Sequence, residues 1–357
     1  MGRASGWYAV NMARADEWRS RGDYFSWRPA QGDAAAVQVF HVELGDPDAP
    51  VLALIHGWPT SSIDWFAVAD QLSARFRVCA LDFPGYGFSD KPPGWGYSLT
   101  RDAELVEFYF SEVVRAEAGA VVGHDRGDSV ALLYAARNAQ GGSAMRISHL
   151  VLSNGNVFLP LSNLTGAQRQ ILDSASWDKI ATALTPERLA EGMGASTFTP
   201  PRGAGSPEVD ALAATFGHQN GTRVLHETIQ YLVERSQNEE AWLTALAEAP
   251  FPVTVIWGLF DTVSPPRVAS YVWNKYLMLG PGGNRLYFIP DANHYLQVDR
   301  PDAFVRVLLD ALEPAGDRSP GALGAELGAP LLVDSSRARL PAAADLLRGS
   351  AGAGPRL

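Results

Sequence analysis

The chain has 357 residues, 46% of them apolar, so it is long enough to bury a full-sized core in one large domain or two smaller ones. Its net charge of −10 indicates no basic face for nucleic acid or an anionic membrane surface, and leaves small-molecule chemistry open. The single cysteine, Cys79, excludes an intrachain disulfide and lies in an apolar run typical of a buried thiol. No apolar run approaches the roughly 20 residues that span a bilayer. We therefore expect a soluble, cytoplasmic protein.

Short apolar runs alternate with amphipathic stretches through the first half of the chain. The runs at 51–57, 77–85, 118–125 and 147–155 are nearly continuous in apolar residues, as parallel strands buried on both faces are. Stretches of helical length separate them, and this alternation predicts a parallel sheet with helices on both faces. Residues 37–44 (VQVFHVEL) precede these runs and are expected to add an antiparallel strand at one edge.

The alternation then stops and later resumes. Residues 156–248 are largely helical in pattern, after which FPVTVIWGLFD and RLYFIPD have strand character again. We therefore predict an α/β core formed by residues 1–155 and 249–313, interrupted by a helical insertion. Residues 314–357 are rich in Ala, Gly, Pro and Arg, which predicts a low-complexity tail that is disordered or loosely docked.

The stretch VVGHDRGDSV places Asp125 at a junction between a predicted strand and a predicted helix. Gly123 and Gly127 lie two residues before and after it, as a tight strand-to-helix turn requires. Such a turn lifts its apex side chain above the carboxyl edge of the sheet, where open α/β sheets bind ligands. The motif alone is weak, because Gly and Asp are common in turns and Asp125 could equally cap the helix. Asp128 is expected to stabilise the first helical turn, and pairing with Arg126 is an alternative.

Four other positions also follow predicted strands. Trp58, in HGWP, and Arg126, after Asp125, could each direct a backbone N–H at one oxyanion site. Asp261 follows the strand in WGLFD, and His294 follows the next one, in DANHY. Singly, these are ordinary turn and loop residues. Carboxyl ends of parallel strands share one edge, however, and nucleophile, acid and histidine in this order match an α/β-hydrolase triad.

The segments HGWPTSSIDW, LDFPGYGFSDKP, GHDRGD and LSNGNVF together resemble the α/β-hydrolase superfamily. The resemblance covers about residues 24–313. It is to the branch with an Asp nucleophile, which includes epoxide hydrolases, haloalkane dehalogenases and mesoderm-specific-transcript-like hydrolases. It implies a mostly parallel eight-stranded sheet with a helical cap, residues 156–248, inserted after strand 6. We expect no metal or organic cofactor, a small apolar organic substrate with water, no nucleic acid or membrane span, and a monomer or homodimer.

A carboxylate nucleophile restricts the chemistry. It is already charged at pH 7 and needs no base for its first attack. Attack on an ester would give an unstable anhydride, whereas attack on a saturated carbon gives an alkyl ester. An epoxide or alkyl halide is therefore expected, with His294, oriented by Asp261, activating water to hydrolyse the ester. The amides of Trp58 and Arg126 would stabilise the tetrahedral oxyanion.

The residues expected to stabilise a leaving group do not all match a dehalogenase. Haloalkane dehalogenases usually carry Trp directly after the nucleophile, where this chain has Arg126, and Asn where it has Trp58. Fluoroacetate dehalogenases do have an Arg after the Asp, with a second Arg three residues later. This chain has Ser129 at that second position, so a carboxylate clamp looks incomplete.

Epoxide hydrolases instead use cap tyrosines that protonate the opening oxirane. Tyr231 is the candidate proton donor, but residues 156–230 contain no second tyrosine. His218 or His226 could substitute, although each is more often a packing residue, and Tyr231 could also serve only in packing. Epoxide hydrolysis to a diol is the leading expectation, and haloalkane or haloacid dehalogenation is the alternative. A non-catalytic member that binds a small molecule or partner also remains open.

Overall fold

A computed structural model describes residues 14–30, 32–280 and 283–313, together with the backbone of residues 331–334. One nine-stranded sheet runs through this part of the chain. Its strands, in chain order, are β1 (Gly22–Trp27), β2 (Val37–Leu44), β3 (Val51–Ile55), β4 (Arg77–Leu81), β5 (Ala118–His124), β6 (Arg146–Ser153), β7 (Val253–Gly258), β8 (Arg285–Ile289) and β9 (Leu331–Asp334).

The strand order across the sheet is β1-β2-β4-β3-β5-β6-β7-β8-β9. Neighbours from β4 through β8 pair in parallel, whereas β1, β2 and β9 run antiparallel to their neighbours. The predicted mostly parallel sheet is thus confirmed. The predicted antiparallel strand at 37–44 is also present, although β1 covers its outer side.

The ninth strand comes from the stretch in which the sequence predicted a disordered tail. Leu331–Asp334 pairs antiparallel with β8, in register from Phe288 opposite Leu331 to Arg285 opposite Asp334. The apolar tripeptide LLV suits a strand, and pairing satisfies the backbone groups along the outer edge of β8. The rest of residues 314–357 lies outside the described residues.

The helices of the described residues are α1 (14–20), α2 (Phe66–Ser73), α3 (Leu99–Phe108), α4 (Arg126–Ala139), α5 (Gly166–Leu172), α6 (Ser174–Ile180), α7 (Pro186–Thr197), α8 (Pro207–Gly217), α9 (Leu225–Thr228), α10 (Tyr231–Ala247), α11 (Pro266–Val272), α12 (Leu296–Asp299) and α13 (Pro301–Leu312). Strands β3 and β7 are buried along their whole length, because apolar clusters cover both faces of the sheet. The thiol of Cys79 lies in this core, in β4. None of the described helices is long and apolar enough to cross a membrane.

The segment between β6 and β7 is helical, and its helices begin where side chains can cap them. Thr165, Asp173, Thr185 and Ser206 each accept a hydrogen bond from an amide in the first turn of α5, α6, α7 and α8 respectively. The last helix of this insertion, α10, packs against α4, the helix that follows Asp125. This contact brings the insertion to the elbow at the carboxyl edge of the sheet.

Candidate active site

Asp125 occupies a strained turn between β5 and α4. Its φ of 51° and ψ of −114° lie in a region that side chains rarely adopt, so the surroundings must impose it. Glycines allow those surroundings to approach closely. A Cβ on Gly57 would lie 2.7 Å from the Asp125 Cβ, and a Cβ on Gly127 would collide with the carbonyl oxygen of Ile55. The Asp125 side chain makes no capping hydrogen bond to α4, so it is directed away from the helix it precedes.

The two oxygens of the Asp125 carboxylate have different surroundings. Oδ2 accepts a hydrogen bond of 2.8 Å from the backbone N–H of Trp58. Oδ1 has no hydrogen-bond partner among the described residues, and lies 3.7 Å from Nε2 of His294. That separation exceeds a hydrogen bond, so Oδ1 faces the imidazole without being bound to it. Of the two predicted oxyanion donors, only the Trp58 amide reaches this carboxylate; the Arg126 amide binds neither oxygen.

His294 lies between the carboxylates of Asp125 and Asp261. Its Nδ1 is 3.0 Å from Oδ2 of Asp261, whose Oδ1 accepts hydrogen bonds of 2.8 Å from the amides of Val263 and Ser264. Burial lowers the pKa of His294, but its bond to Asp261 and the charges of Asp261 and Asp125 raise that pKa to about 9. The imidazole is therefore positively charged at neutral pH.

Asn154 fixes this arrangement, and the sequence did not single it out. It follows β6 with a φ of 49° and is fully buried. Its Nδ2 donates to the carbonyls of Asn293 (2.8 Å) and His294 (2.9 Å), while its Oδ1 accepts from the amide of Gly258 at 2.9 Å. One side chain thus ties together the ends of β6, β7 and β8. The available signal was a polar residue before a glycine, Gly155, at a strand end.

Asp128 does not cap α4 or pair with Arg126. Its Oδ1 accepts a hydrogen bond of 3.0 Å from the amide of Ser153, at the end of β6. Gly123 and Gly155 make room for this carboxyl, because a Cβ on either would collide with it. Burial raises the pKa of Asp128 well above its ordinary value and the Asp125 charge adds to that increase, whereas the Ser153 amide and the Arg235 charge oppose it. Asp128 is thus a buried carboxyl that joins the elbow to the neighbouring strand.

Arg126 pairs with a residue that the sequence had not connected to it. Its guanidinium forms a buried ion pair with Asp102 of α3. Burial raises the pKa of Asp102 to about 6 while the Arg126 charge opposes that rise, so the pair is ionised at neutral pH. The guanidinium also lies 5.3 Å, 5.1 Å and 5.4 Å from the ring centres of Phe83, Tyr86 and Tyr231. Arg126 is thus held in an aromatic cage beside Asp125.

Tyr231, the candidate donor on α10, is brought to this cage. The ring lies between two guanidinium groups, because Arg235 is 5.2 Å from its centre on α10 itself. Its hydroxyl is buried and has no hydrogen-bond partner among the described residues. Burial and the Asp125 charge raise the pKa of Tyr231, whereas Arg235 and Arg126 act to lower it.

Arg235 was missed by the sequence analysis. It is 1% exposed, and its Nη2 donates to the hydroxyl of Ser129, one helical turn beyond Asp125 on α4. Its Nε and Nη1 have no hydrogen-bond partner among the described residues. The position that holds Ser129 instead of a second arginine therefore receives a guanidinium from α10. Its spacing from Tyr231, one turn along a helix, was the available signal.

The two cap histidines lie in packing positions. His218 contacts the ring of Phe88 at 5.4 Å, and burial together with Lys91 lowers its pKa to about 4. His226 bonds through Nδ1 to the carbonyl of Ile171 at 2.6 Å and stacks on Trp177. Neither histidine contacts Asp125 or Tyr231, so the structure gives no support for either as a substitute donor.

A cavity of about 240 Å³ lies between the sheet edge and the insertion. From the core it is lined by Trp58, Pro59, Val263, His294 and Tyr295, and from the insertion mainly by side chains of α5 and α7. Ligand pockets for drug-sized molecules commonly measure about 300–1,000 Å³, so this space suits a smaller molecule. No cluster of three or more potential metal-ligating side chains occurs in the part of the chain that the structure describes.

The fold and the strand-end residues define a hydrolase-type scaffold, and comparison with known families agrees. A family model described as alpha/beta hydrolase fold matches residues 50–301, and the chain belongs to this family. The chain is 33% identical over 296 residues to "Putative hydrolase LipZ" of Mycobacterium tuberculosis, covering 83% of this chain and 97% of LipZ. It is 29% identical over 300 residues to the human mesoderm-specific transcript homolog protein, covering 82% and 86% of the two chains.

Solved structures extend the likeness to proteins with different chemistry. An epoxide hydrolase from metagenomes of hot environments superposes with a TM-score of 0.62 and 20% identity, covering 82% of this chain and 98% of its own. A thermophilic esterase from Thermogutta terrifontis superposes with a TM-score of 0.64 and 18% identity, covering 81% and 97%. At these identities the likeness establishes the fold, and the reaction has to be argued from the side chains.

Proposed function

We propose that this member of the hydrolase family opens epoxides to diols through a covalent ester on Asp125. The observation that carries the proposal is the divided carboxylate of Asp125. One oxygen is fixed by the Trp58 amide, and the other is unbound and faces His294. A carboxylate nucleophile needs an oxygen that is free to form a bond to the substrate. Hydrolysis of the resulting ester needs a polarised carbonyl group beside a base.

The first step forms the ester. Oδ1 of Asp125 attacks an epoxide carbon, the new C–O bond forms, and the ring C–O bond breaks with its electron pair on the oxirane oxygen. The hydroxyl of Tyr231 donates its proton to that oxygen and becomes a phenolate between Arg126 and Arg235. His294 takes no part, because a carboxylate needs no base to attack.

The second step releases the diol. After the ester has formed, the His294 imidazolium releases to solvent the proton that it regains at the end of the cycle. Water then loses a proton to the neutral imidazole and adds to the Asp125 carboxyl carbon, while the Trp58 N–H stabilises the oxyanion on Oδ2. Collapse breaks the bond to the product oxygen, which takes the proton from His294. The proton left on the regenerated carboxyl returns to the Tyr231 phenolate, so one epoxide and one water give one diol.

The charge on His294 suits this sequence of steps. In the resting protein, Asp125 and Asp261 together hold the pKa of His294 near 9. Ester formation removes the negative charge of Asp125, so the imidazole loses one of the groups that stabilise its proton. The histidine thus becomes a better base at the moment when a water must be activated.

Dehalogenation is the second candidate, and the guanidinium groups on both sides of Tyr231 favour it. Arg235 brings a cation to Ser129, the position at which the sequence lacked a second arginine. A halide or a haloacid carboxylate could be stabilised there. Tyr231, however, offers a proton at the same place, and an oxirane oxygen requires one whereas a halide does not.

The experiment compares epoxides, haloalkanes, chloroacetate and nitrophenyl esters on wild type, Asp125→Ala and His294→Gln. We expect diol formation in wild type, none with Asp125→Ala, and an ester on Asp125 that accumulates in His294→Gln and is located by peptide mass spectrometry. Adduct formation with chloroacetate alone would favour the second candidate. Ester hydrolysis that survives Asp125→Ala, or an adduct on Ser153, would contradict the proposed mechanism.

A further inference from the structure

We propose that Arg235 of the helical insertion is a catalytic residue that stabilises the negative charge on the leaving oxygen when Asp125 attacks the substrate. This inference rests on the function proposed above and adds a residue to it. Its basis is a buried guanidinium with two unpartnered N–H groups beside the nucleophile and the candidate proton donor.

The position of Arg235 follows from two contacts. Its Nη2 donates to Ser129, which lies four residues after Asp125 and therefore one turn along the same face of α4. Its guanidinium also lies against the ring of Tyr231, 5.2 Å from the ring centre. Both contacts place the group beside α4, on the insertion side of the elbow.

A guanidinium in such a place requires a partner. Leaving a charge buried and unpaired is strongly unfavourable, so buried arginines are normally paired with carboxylates. No acidic side chain of the described residues lies within ion-pairing distance of Arg235. Glu239, one turn further along α10, is only half-buried and accepts a hydrogen bond from the Leu159 amide at 2.9 Å. The Nε and Nη1 donors thus remain available to a group that arrives with the substrate.

The surrounding charges indicate which kind of group this is. Arg126 is paired with Asp102, whereas Arg235 has no ion-pair partner among the described residues. The charges of Asp125 and Asp128 favour the protonated form of Arg235. The charge that Arg235 is placed to stabilise is therefore the one that leaves Asp125 when it attacks.

A leaving oxygen receives that charge. As the bond from Asp125 to carbon forms, its negative charge moves to the oxygen whose bond to that carbon breaks. Arg235 can stabilise the negative charge on Asp125 before the attack and on the leaving oxygen after it. Its fork of N–H groups suits an oxyanion. The same charge transfer favours proton donation by Tyr231, because a cation beside the ring also stabilises the phenolate.

The test measures ester formation and ester hydrolysis separately, with styrene oxide, 1,2-epoxyhexane and cyclohexene oxide as probes. In the His294→Gln background, adding Arg235→Gln should slow labelling of Asp125 about 100-fold, the typical loss when one oxyanion donor is removed. Arg235→Lys should lose less, because it keeps the charge but not the fork. With His294 intact, decay of the ester should be the same in Arg235→Gln and wild type.

Arg285→Gln is the matched control, since Arg285 is also a buried arginine but begins β8 at the opposite end of the sheet. Thermal unfolding shows whether each variant folds. If Arg235→Gln does not fold, the labelling rates are compared with Arg235→Lys instead. Equal labelling rates in the Arg235 and Arg285 variants, or equal slowing of both steps, would overturn the role of Arg235. A raised KM for chloroacetate with unchanged labelling would also overturn it, because it would indicate a substrate-carboxylate site. Absence of any adduct in His294→Gln alone would instead contradict the proposed function.

Discussion

The two sides of Asp125 differ in how completely the protein satisfies its own polar groups. On the His294 side, Asp261 accepts bonds on both oxygens and Asn154 uses both its amide nitrogen and its oxygen. On the insertion side, the Tyr231 hydroxyl and two nitrogens of Arg235 have no partner among the described residues. The groups that position His294 are thus bonded within the protein. Since buried polar groups are almost always bonded, we infer that Tyr231 and Arg235 acquire their partners from a bound molecule.

This difference suggests different tasks: the His294 side orients the imidazole, and the insertion side stabilises charge. Backbone amides and Asn154 hold Asp261 and His294 in place. Tyr231 and Arg235 belong to α10 of the helical insertion, which packs against α4. We therefore expect substitutions on the two sides to affect different steps of the reaction.

The largest effect is expected from Asp261→Asn, which alters the His294 side. The amide cannot stabilise a charged His294 in the same way, and the comparable change in a serine-protease triad costs about 10⁴ in kcat. We expect ester formation to continue and ester decay to fall by about 10³–10⁴, measured by rapid-quench mass spectrometry of the Asp125 adduct. Slowing of ester formation with unchanged decay would mean that Asp261 does not act through His294.

Tyr231→Phe alters the other side and removes only the hydroxyl. General-acid groups typically contribute 10²–10⁴, so we expect ester formation from epoxides to fall about 100-fold while its decay stays unchanged. Tyr134→Phe, which changes a buried tyrosine of α4 bonded to the carbonyl of Met145, is the matched control. If both variants behave alike, the Tyr231 hydroxyl serves only in packing.

Asn154→Ala should reduce stability more than it alters chemistry. It leaves the Gly258 amide and the carbonyls of Asn293 and His294 without their buried partner, which typically costs about 1–3 kcal/mol. Urea unfolding should show this loss, whereas Asn238→Ala, at a partly exposed position of α10, should change stability little. Equal stabilities for the two variants would show that the three strand ends are held together without Asn154.

The smallest expected effect is the dependence of stability on pH through His294. Its pKa is raised from 6.5 to about 9 on folding, so the protonated imidazole favours the folded state. This contribution is complete below pH 6.5 and is lost as the pH rises to about 9. The difference in unfolding free energy between wild type and His294→Gln should therefore shrink from pH 6 to pH 9. A constant difference would indicate that the imidazole is not charged in the folded protein.

The strand ends could be predicted because the evidence for them is local. Each of Asp125, Asp261 and His294 follows an apolar run, and parallel strands bring such positions to one edge.

The role of Asp128 was predicted wrongly because the prediction also relied on local position. Its position in the first helical turn suggested a cap, but the closest partner in space is the Ser153 amide, 25 residues away.

The insertion side could be predicted only in part. Tyr231 was found by its residue type and its distance from the next strand. Arg235 was not, because its contact with Ser129 joins residues 106 positions apart on two different helices. The pairing of Arg126 with Asp102 likewise depends on how α3 packs against α4. Helix packing has no short sequence signature that identifies which polar side chains will meet.

The sequence by itself determined the α/β-hydrolase fold and the positions of the strand-end residues, because hydrophobic periodicity and glycine spacing act over short distances. Only the tertiary structure decided which oxygen of Asp125 is free, what holds His294, and which cation faces the Tyr231 ring from the insertion. These depend on distances between segments far apart in the chain. The physical reason is that buried charges find partners in space, and the packing of the insertion against the sheet selects them.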